Sequence, residues 1–240
     1  MLVKSQIKLT RSLQQKKYRK QHGLFFVEGK KTVQELLASN IKPYKIYCLD
    51  SESLDISVAI TSKVTLAELK QMSCLKNPSG VLGVFHIPQV TEVDFSDWMI
   101  AIDDVSDPGN LGTIIRLCDW FGIQHIICSK NTVDCYNPKV LQATMGSIAR
   151  VNLLYVDLSS FLKDVSVPVY GAFMDGASVY SEELPDKGIL VMGNEGNGIS
   201  KEVKMQIAHE ISIPQFGNNT TESLNVATAT SILLNEVRRG

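Results

Sequence analysis

Two features of this chain could act on a small ligand. The first is the loop Gly193-Asn-Glu-Gly-Asn-Gly198, which follows the apolar run Gly188-Ile-Leu-Val-Met192 and carries a carboxylate, Glu195, within it. Glycines at the end of a buried strand leave backbone N–H groups open to a ligand. Gly193 and Gly198 share the outer-glycine spacing of a triphosphate loop, but Ile199 and Ser200 stand where Lys and Ser/Thr are needed. The dinucleotide pattern G-x-G-x-x-G is missing as well, and Glu195 would repel a phosphate at close range. The loop therefore suits a ligand that is neutral or cationic at this edge. The second feature is Arg116, which by helical angle lies off the apolar stripe Leu111, Ile114, Ile115 and Cys118, with Gly112 one turn earlier leaving room above it. It reads either as a solvated arginine or as a working cation. Asn110 stands just before the stripe, where a helix N-cap would be.

These residues need a frame. Apolar runs at Trp98–Ile102, His125–Cys128, Leu153–Val156, Val167–Gly171, Gly188–Met192 and Ile211–Pro214 read as buried strands separated by helical or loop segments. That alternation predicts an open, mostly parallel α/β sheet with helices on both faces. Ligands in such sheets bind at the carboxyl ends of the strands, where Gly171, Met192 to Glu195, and Ile213 to Gln215 fall. A last helix from Leu224 to Arg238 has Val226, Ala229, Leu233 and Val237 on one side, and small residues at Ala227, Thr228, Thr230 and Ser231. Small residues let it pack closely on its own domain or on a second subunit. Ser223 is a candidate cap for it.

A smaller module precedes this domain. Residues 1–22 read as a basic helix or arm, Phe25–Gly29 as a strand, Lys31–Ser39 as a helix and Ile41–Leu49 as a strand. Further strands at Val58–Ile60 and Gly80–His86 and a helix at Leu66–Met72 complete it. The expected division is a basic arm and α/β module over residues 1–87, a Pro-containing linker over 88–96 and a second domain over 97–240.

The 240 residues, 44% apolar and 20% charged, are ordinary globular composition. No apolar run is long enough to span a membrane, and the first residues lack the core of a signal peptide. Cysteines at 48, 74, 118, 128 and 135 have no metal-ligand or C-x-x-C spacing, so neither metal nor disulfide is expected, and a reducing compartment, the cytoplasm, is. The net charge of −1 conceals an asymmetry: residues 1–31 carry +8 and the remainder −9. The basic end suits a polyanion, although a merely solvated basic helix has the same pattern.

Three motifs in order resemble the SpoU/TrmH-type RNA ribose 2'-O-methyltransferases of the SPOUT superfamily. They are Asp104-Val-Ser-Asp-Pro-Gly-Asn-Leu-Gly-Thr-Ile-Ile-Arg116 with Phe121-Gly122, then Leu190-Val-Met-Gly-Asn-Glu-Gly-Asn-Gly198, then Ile211-Ser-Ile-Pro214 with Ser223-Leu-Asn-Val226. The segments Asn137–Ser147 and Gly171–Gly176 are similar too. The resemblance implies a C-terminal trefoil-knotted sheet, a bound S-adenosylmethionine, a homodimer, and an N-terminal domain that binds RNA, ribosomal RNA before transfer RNA. It implies catalytic roles for Asn110, Arg116, Glu195, Ser223 and Asn225. It implies cofactor contacts from Gly171, Met192, Gly193, Gly196, Gly198, Ile211, Ile213 and Leu224. Neither a membrane nor a metal is part of this expectation. The sequence departs from the family at Gln215-Phe216, in a longer loop over 217–223 and at Ala227, all near the pocket rim. A noncatalytic RNA-binding or ribosome-assembly protein on the same fold is the rival reading.

Overall fold

A computed structural model of the protein describes residues 4–49, 60–89, 91–217 and 223–239. These fall into two units: one holds the described residues up to Gln89 together with Asp134–Ala149, the other holds the rest. Val58 and Ala59 of the expected third strand, Asp50–Ser53 of the turn before it, and 218–222 of the long loop lie outside the described residues.

In the first unit the basic arm is two helices, α1 (Lys4–Ser12) and α2 (Lys16–His22), the second ended by Gly23 in the left-handed region. Then come β1 (Leu24–Glu28), α3 (Lys30–Leu37), β2 (Pro43–Cys48), β3 (Thr61–Lys63), α4 (Leu66–Met72) and β4 (Val81–His86). A capping box starts α4: the Thr65 hydroxyl accepts from the Glu68 N–H, and the Glu68 carboxylate accepts from the Thr65 N–H. The sheet order is β1-β4-β2-β3, antiparallel except for the β2–β3 pair. Leu13, Phe26, Tyr47, Leu69, Met72 and Leu82 fill the core on one side, each at most 2% exposed.

The second unit is built on β5 (Met99–Ile102), α5 (Pro108–Trp120), β6 (His125–Ser129), β7 (Asn152–Val156), α7 (Leu158–Lys163), β8 (Val169–Ser178), β9 (Ile189–Met192), α8 (Lys201–Lys204), β10 (His209–Ser212) and α9 (Val226–Arg239). Its sheet is parallel throughout, in the order β10-β8-β9-β5-β6-β7. The central strands β5 and β9 are buried at every position, which is why they read as uninterrupted apolar runs. Burying each such Val, Leu or Ile contributes ~1.5–3 kcal/mol. The expected stripe on α5, Leu111, Ile114, Ile115 and Cys118, is fully buried, and α5 packs against α9.

Helix α6 (Pro138–Thr144) and the 3-10 turn Ser147–Ala149 group with the first unit, although by sequence position they lie inside the segment read as the second domain. The reason is specific contact. Arg19, 3% exposed, donates to Asp134 at 2.6 Å and to the carbonyls of Leu13 and Gln14 at 2.9 Å. The Tyr136 ring lies 4.7 Å from that of Phe25.

Candidate active site

Asp103 and Asp104 directly follow strand β5, and both residues organise the glycine loop that follows β9. The 3%-exposed Asp103 carboxylate accepts from the Ser200 N–H at 2.7 Å. Asp104, in the left-handed region at φ 57°, accepts through its carbonyl from Asn194 Nδ2 at 2.7 Å. Asn194 Oδ1 in turn accepts from the N–H groups of Gly196 and Asn197 at 2.9 and 3.0 Å. A pair of backbone hydrogen bonds between Asn194 and Gly198 closes the loop. Gly193 has to be glycine, because a Cβ there would sit 2.4 Å from the Gly198 carbonyl carbon and 2.5 Å from the Ile199 nitrogen. These bonds hold Glu195 out at the tip of the loop.

The N-cap of α5 is Asp107, not Asn110: the Asp107 carboxylate accepts from the Asn110 N–H at 2.8 Å, and Pro108 occupies the first turn. Relieved of capping, the Asn110 side chain donates to Glu195 Oε1 at 2.7 Å. Its own carbonyl oxygen accepts from Asn225 Nδ2 at 2.9 Å. Asn225, rather than Ser223, caps α9, with Oδ1 accepting from Ala227 and Thr228 N–H at 3.0 and 3.2 Å. Each amide thus uses both ends, and the chain Asn225–Asn110–Glu195 ties together the starts of two helices and a strand-end loop.

Beside this chain lies a cleft of about 460 Å³. Met192, Gly193, Glu195, Gly196, Gly198, Ile211, Ile213, Ser223 and Leu224 line it, as do Val226, Ala229 and Leu233 of α9. Strand β8 bulges here: the register against β10 jumps from Glu210–Gly171 to Ile211–Ala177, and Ala172, Phe173 and Met174 join the lining. Gly171 does not line the cleft; it is buried, and a Cβ on it would meet Ile207 Cδ1 at 2.6 Å. Arg116 is also absent from the lining. Its side chain is exposed on α5 and has no hydrogen-bond or ion-pair partner among the described residues. The sequence reading passed over Asp103, Asp107 and Asn194. Their signal was local, since two acids close a buried strand and an acid precedes Pro at a helix start.

Fold and cleft together define an α/β domain with a cleft at the carboxyl edge of a parallel sheet and no Lys or Arg among the described lining residues. Residues 97–235 match the SpoU rRNA Methylase family, and residues 4–83 match the MRM3-like substrate binding domain. The chain belongs to the SpoU rRNA methylase family, and its all-parallel second sheet is typical of the knotted SPOUT fold. It is 29% identical over 240 residues, 97% of its own length and 95% of the relative's, to the 23S rRNA (guanosine(2553)-2'-O)-methyltransferase of Bacillus subtilis. A solved structure of a TrmH-family protein from Porphyromonas gingivalis is 38% identical, with a TM-score of 0.91 and coverage of 100% of this chain and 99% of that one. The AdoMet-bound rRNA methyltransferase of Sinorhizobium meliloti is 29% identical, with a TM-score of 0.88 and coverage of 100% and 96%.

Proposed function

We propose that this chain is an RNA methyltransferase that uses S-adenosylmethionine to methylate a ribose 2'-hydroxyl of structured RNA, ribosomal RNA before transfer RNA. The observation that carries this reading is the Asn225–Asn110–Glu195 chain at the rim of the cleft, in a member of the SpoU rRNA methylase family. The cleft volume lies within the range of small-molecule sites, ~300–1,000 Å³. Its apolar walls, Met192, Ile211, Ile213 and Leu224, suit an adenine ring, and the carboxylate of Glu195, with no Lys or Arg among the described lining residues, suits a cationic ligand free of phosphate. The bound cofactor supplies a methyl group on a sulfonium centre.

The protein's residues then do the rest. Met192, Gly193, Gly196, Gly198, Ile211, Ile213 and Leu224 bind the cofactor with side chain and backbone. Asn110 and Asn225 hold Glu195 in place, and Ser223 lines the same wall. A guanidinium is always protonated, so Arg116 acts together with an RNA phosphate to orient the 2'-hydroxyl and to stabilise charge on its oxygen as the proton leaves. Because Arg116 is exposed and does not line its own cleft, the active form is a homodimer in which a second copy contributes it. The 83%-exposed Trp120, one turn further along α5, supports that reading as an apolar contact for such a copy.

Residues 1–87 are the RNA-binding module, 88–96 the linker and 97–240 the methyltransferase domain. Lys4, Lys8, Arg11, Lys16, Lys17 and Lys20 of the arm contact phosphates. The five cysteines, none of them in a disulfide among the described residues, support a cytoplasmic site of action. No helix among the described residues is long and apolar enough to cross a membrane.

The test is transfer of labelled methyl from S-adenosylmethionine to unmodified total RNA from cells lacking the gene, with the product nucleoside identified by mass. A 2'-O-methylnucleoside confined to one RNA species is the expected product. Tight RNA binding with no incorporation would overturn the reading in favour of a noncatalytic assembly protein.

A further inference from the structure

We propose that the first unit holds one unstacked guanine of its RNA in a cavity between β1, α3, the turn at Cys74 and α6. The proposal rests on the reading that the chain binds RNA, and it concerns a site whose lining lies wholly in that unit. The cavity measures about 280 Å³ and has apolar walls from Phe26, Leu75, Leu141 and Ala143. Two polar groups in the wall set its chemistry. Thr32 is only 8% exposed, yet its hydroxyl has no hydrogen-bond partner among the described residues. A hydroxyl in the cavity wall that makes no bond to the protein is open to a hydrogen bond with a ligand atom there.

The second group is Glu28, the one acid among the first 31 residues, and it is 7% exposed rather than set among the surface lysines. One carboxylate oxygen accepts from the Cys74 N–H at 2.7 Å and the other from the Ser73 hydroxyl. An ionised carboxylate has about four acceptor positions, so each oxygen keeps a free one. Two free positions side by side match two adjacent N–H donors. Among the RNA bases only guanine carries such a pair, N1–H and the N2 amine, on its Watson–Crick edge, and the Thr32 hydroxyl can donate to the neighbouring O6. The nucleotide backbone has partners too. Lys139 lines the cavity and is exposed, while Lys30 and Lys31 are exposed in the first turn of α3, whose N-cap Gly29 makes no side-chain cap. Thiol chemistry is a poor alternative use: burial, then the Glu28 charge, pushes the Cys74 thiol up to about 11, so it stays protonated near neutral pH.

The test is fluorescence anisotropy of the full chain with an adenosine hexanucleotide and with the same hexamer carrying one central guanosine or inosine. The guanosine hexamer should bind about tenfold more tightly than the adenosine one, with inosine, which lacks the N2 amine, in between. Thr32→Val loses no bond in the folded chain, and it and Glu28→Gln should each reduce the preference to within about twofold. Equal affinities in the unsubstituted protein, or a preference that survives both substitutions, would overturn the proposal. Methyl transfer to total RNA by the same preparation separates the two readings. A guanosine preference without transfer would overturn only the activity, and transfer without the preference would overturn only the pocket.

Discussion

The two sheets of this protein use their strand ends differently. In the second unit every strand runs the same way, so the segments that follow β5, β8, β9 and β10 gather at one edge. Asn110 and Asn225, 115 residues apart, meet there at 2.9 Å. In the first unit β1, β4 and β2 alternate in direction, so no edge collects their loops, and the opening forms instead among β1, α3 and α6. A parallel sheet thus concentrates side chains for chemistry, whereas the mixed sheet leaves a pocket beside its first strand, suited to recognition.

Four substitutions can break or sharpen this contrast. The largest effect is expected from Arg116→Ala, which should lower methyl transfer about a thousandfold and leave cofactor affinity within about twofold by equilibrium dialysis. Comparable loss of both would place Arg116 in the cofactor site. Mixing Arg116→Ala chains with Asn110→Ala chains should restore part of the activity if each site draws on two copies. Arg19→Met strands Asp134 within the first unit and should cost about 3–5 kcal/mol in denaturant unfolding of that unit. Cofactor binding in the second unit should be unchanged, and a loss there would show that the contrast between the units is false. Asn110→Ala removes the link between Asn225 and Glu195 and should slow transfer ~100-fold with little change in melting temperature.

The smallest effect concerns pH. The hydrogen bonds from Arg238 to Asp97, at 2.7 and 2.8 Å, hold that carboxyl below its ordinary 3.8 against the opposing effect of partial burial. A depressed carboxyl contributes stability above its unfolded pKa and loses it as pH falls through the lower folded value. The difference in melting temperature between the unsubstituted protein and Asp97→Asn should therefore be steady from pH 7 to 5 and shrink below about pH 4. Because the Asp97 side chain is 45% exposed, the gain is under ~1 kcal/mol.

Much of the second unit was legible beforehand because its strands are buried on both faces. The runs Met99–Ile102 and Ile189–Met192 cannot be mistaken for amphipathic surface segments. The motif residues Glu195, Asn110 and Asn225 stood out, but their helix-end roles did not. Asn110 looked like a cap because asparagine is a good cap, and Asp107 three residues earlier took that place since Pro108 fits the first turn. Gly171 was expected at the cofactor because it ends an apolar run, yet β8 continues to Ser178 and the bulge after Gly171 lines the cleft instead. Arg116 was legible as lying off the buried stripe, a matter of helical angle alone.

Sequence by itself determined the strands, the helix stripes, the absence of a phosphate grip in the glycine loop and the charge asymmetry, because each depends on residues close together in the chain. Only the tertiary structure decided that Asn225 bonds to Asn110, that Asp103 and Asp104 tie down the glycine loop, and that α6 joins the first unit through Arg19–Asp134. It also decided that Thr32 and Glu28 face one cavity. Those pairings join residues far apart in sequence, and which partners meet is set by the order of strands in a sheet and the closure of the core, properties that no local periodicity encodes.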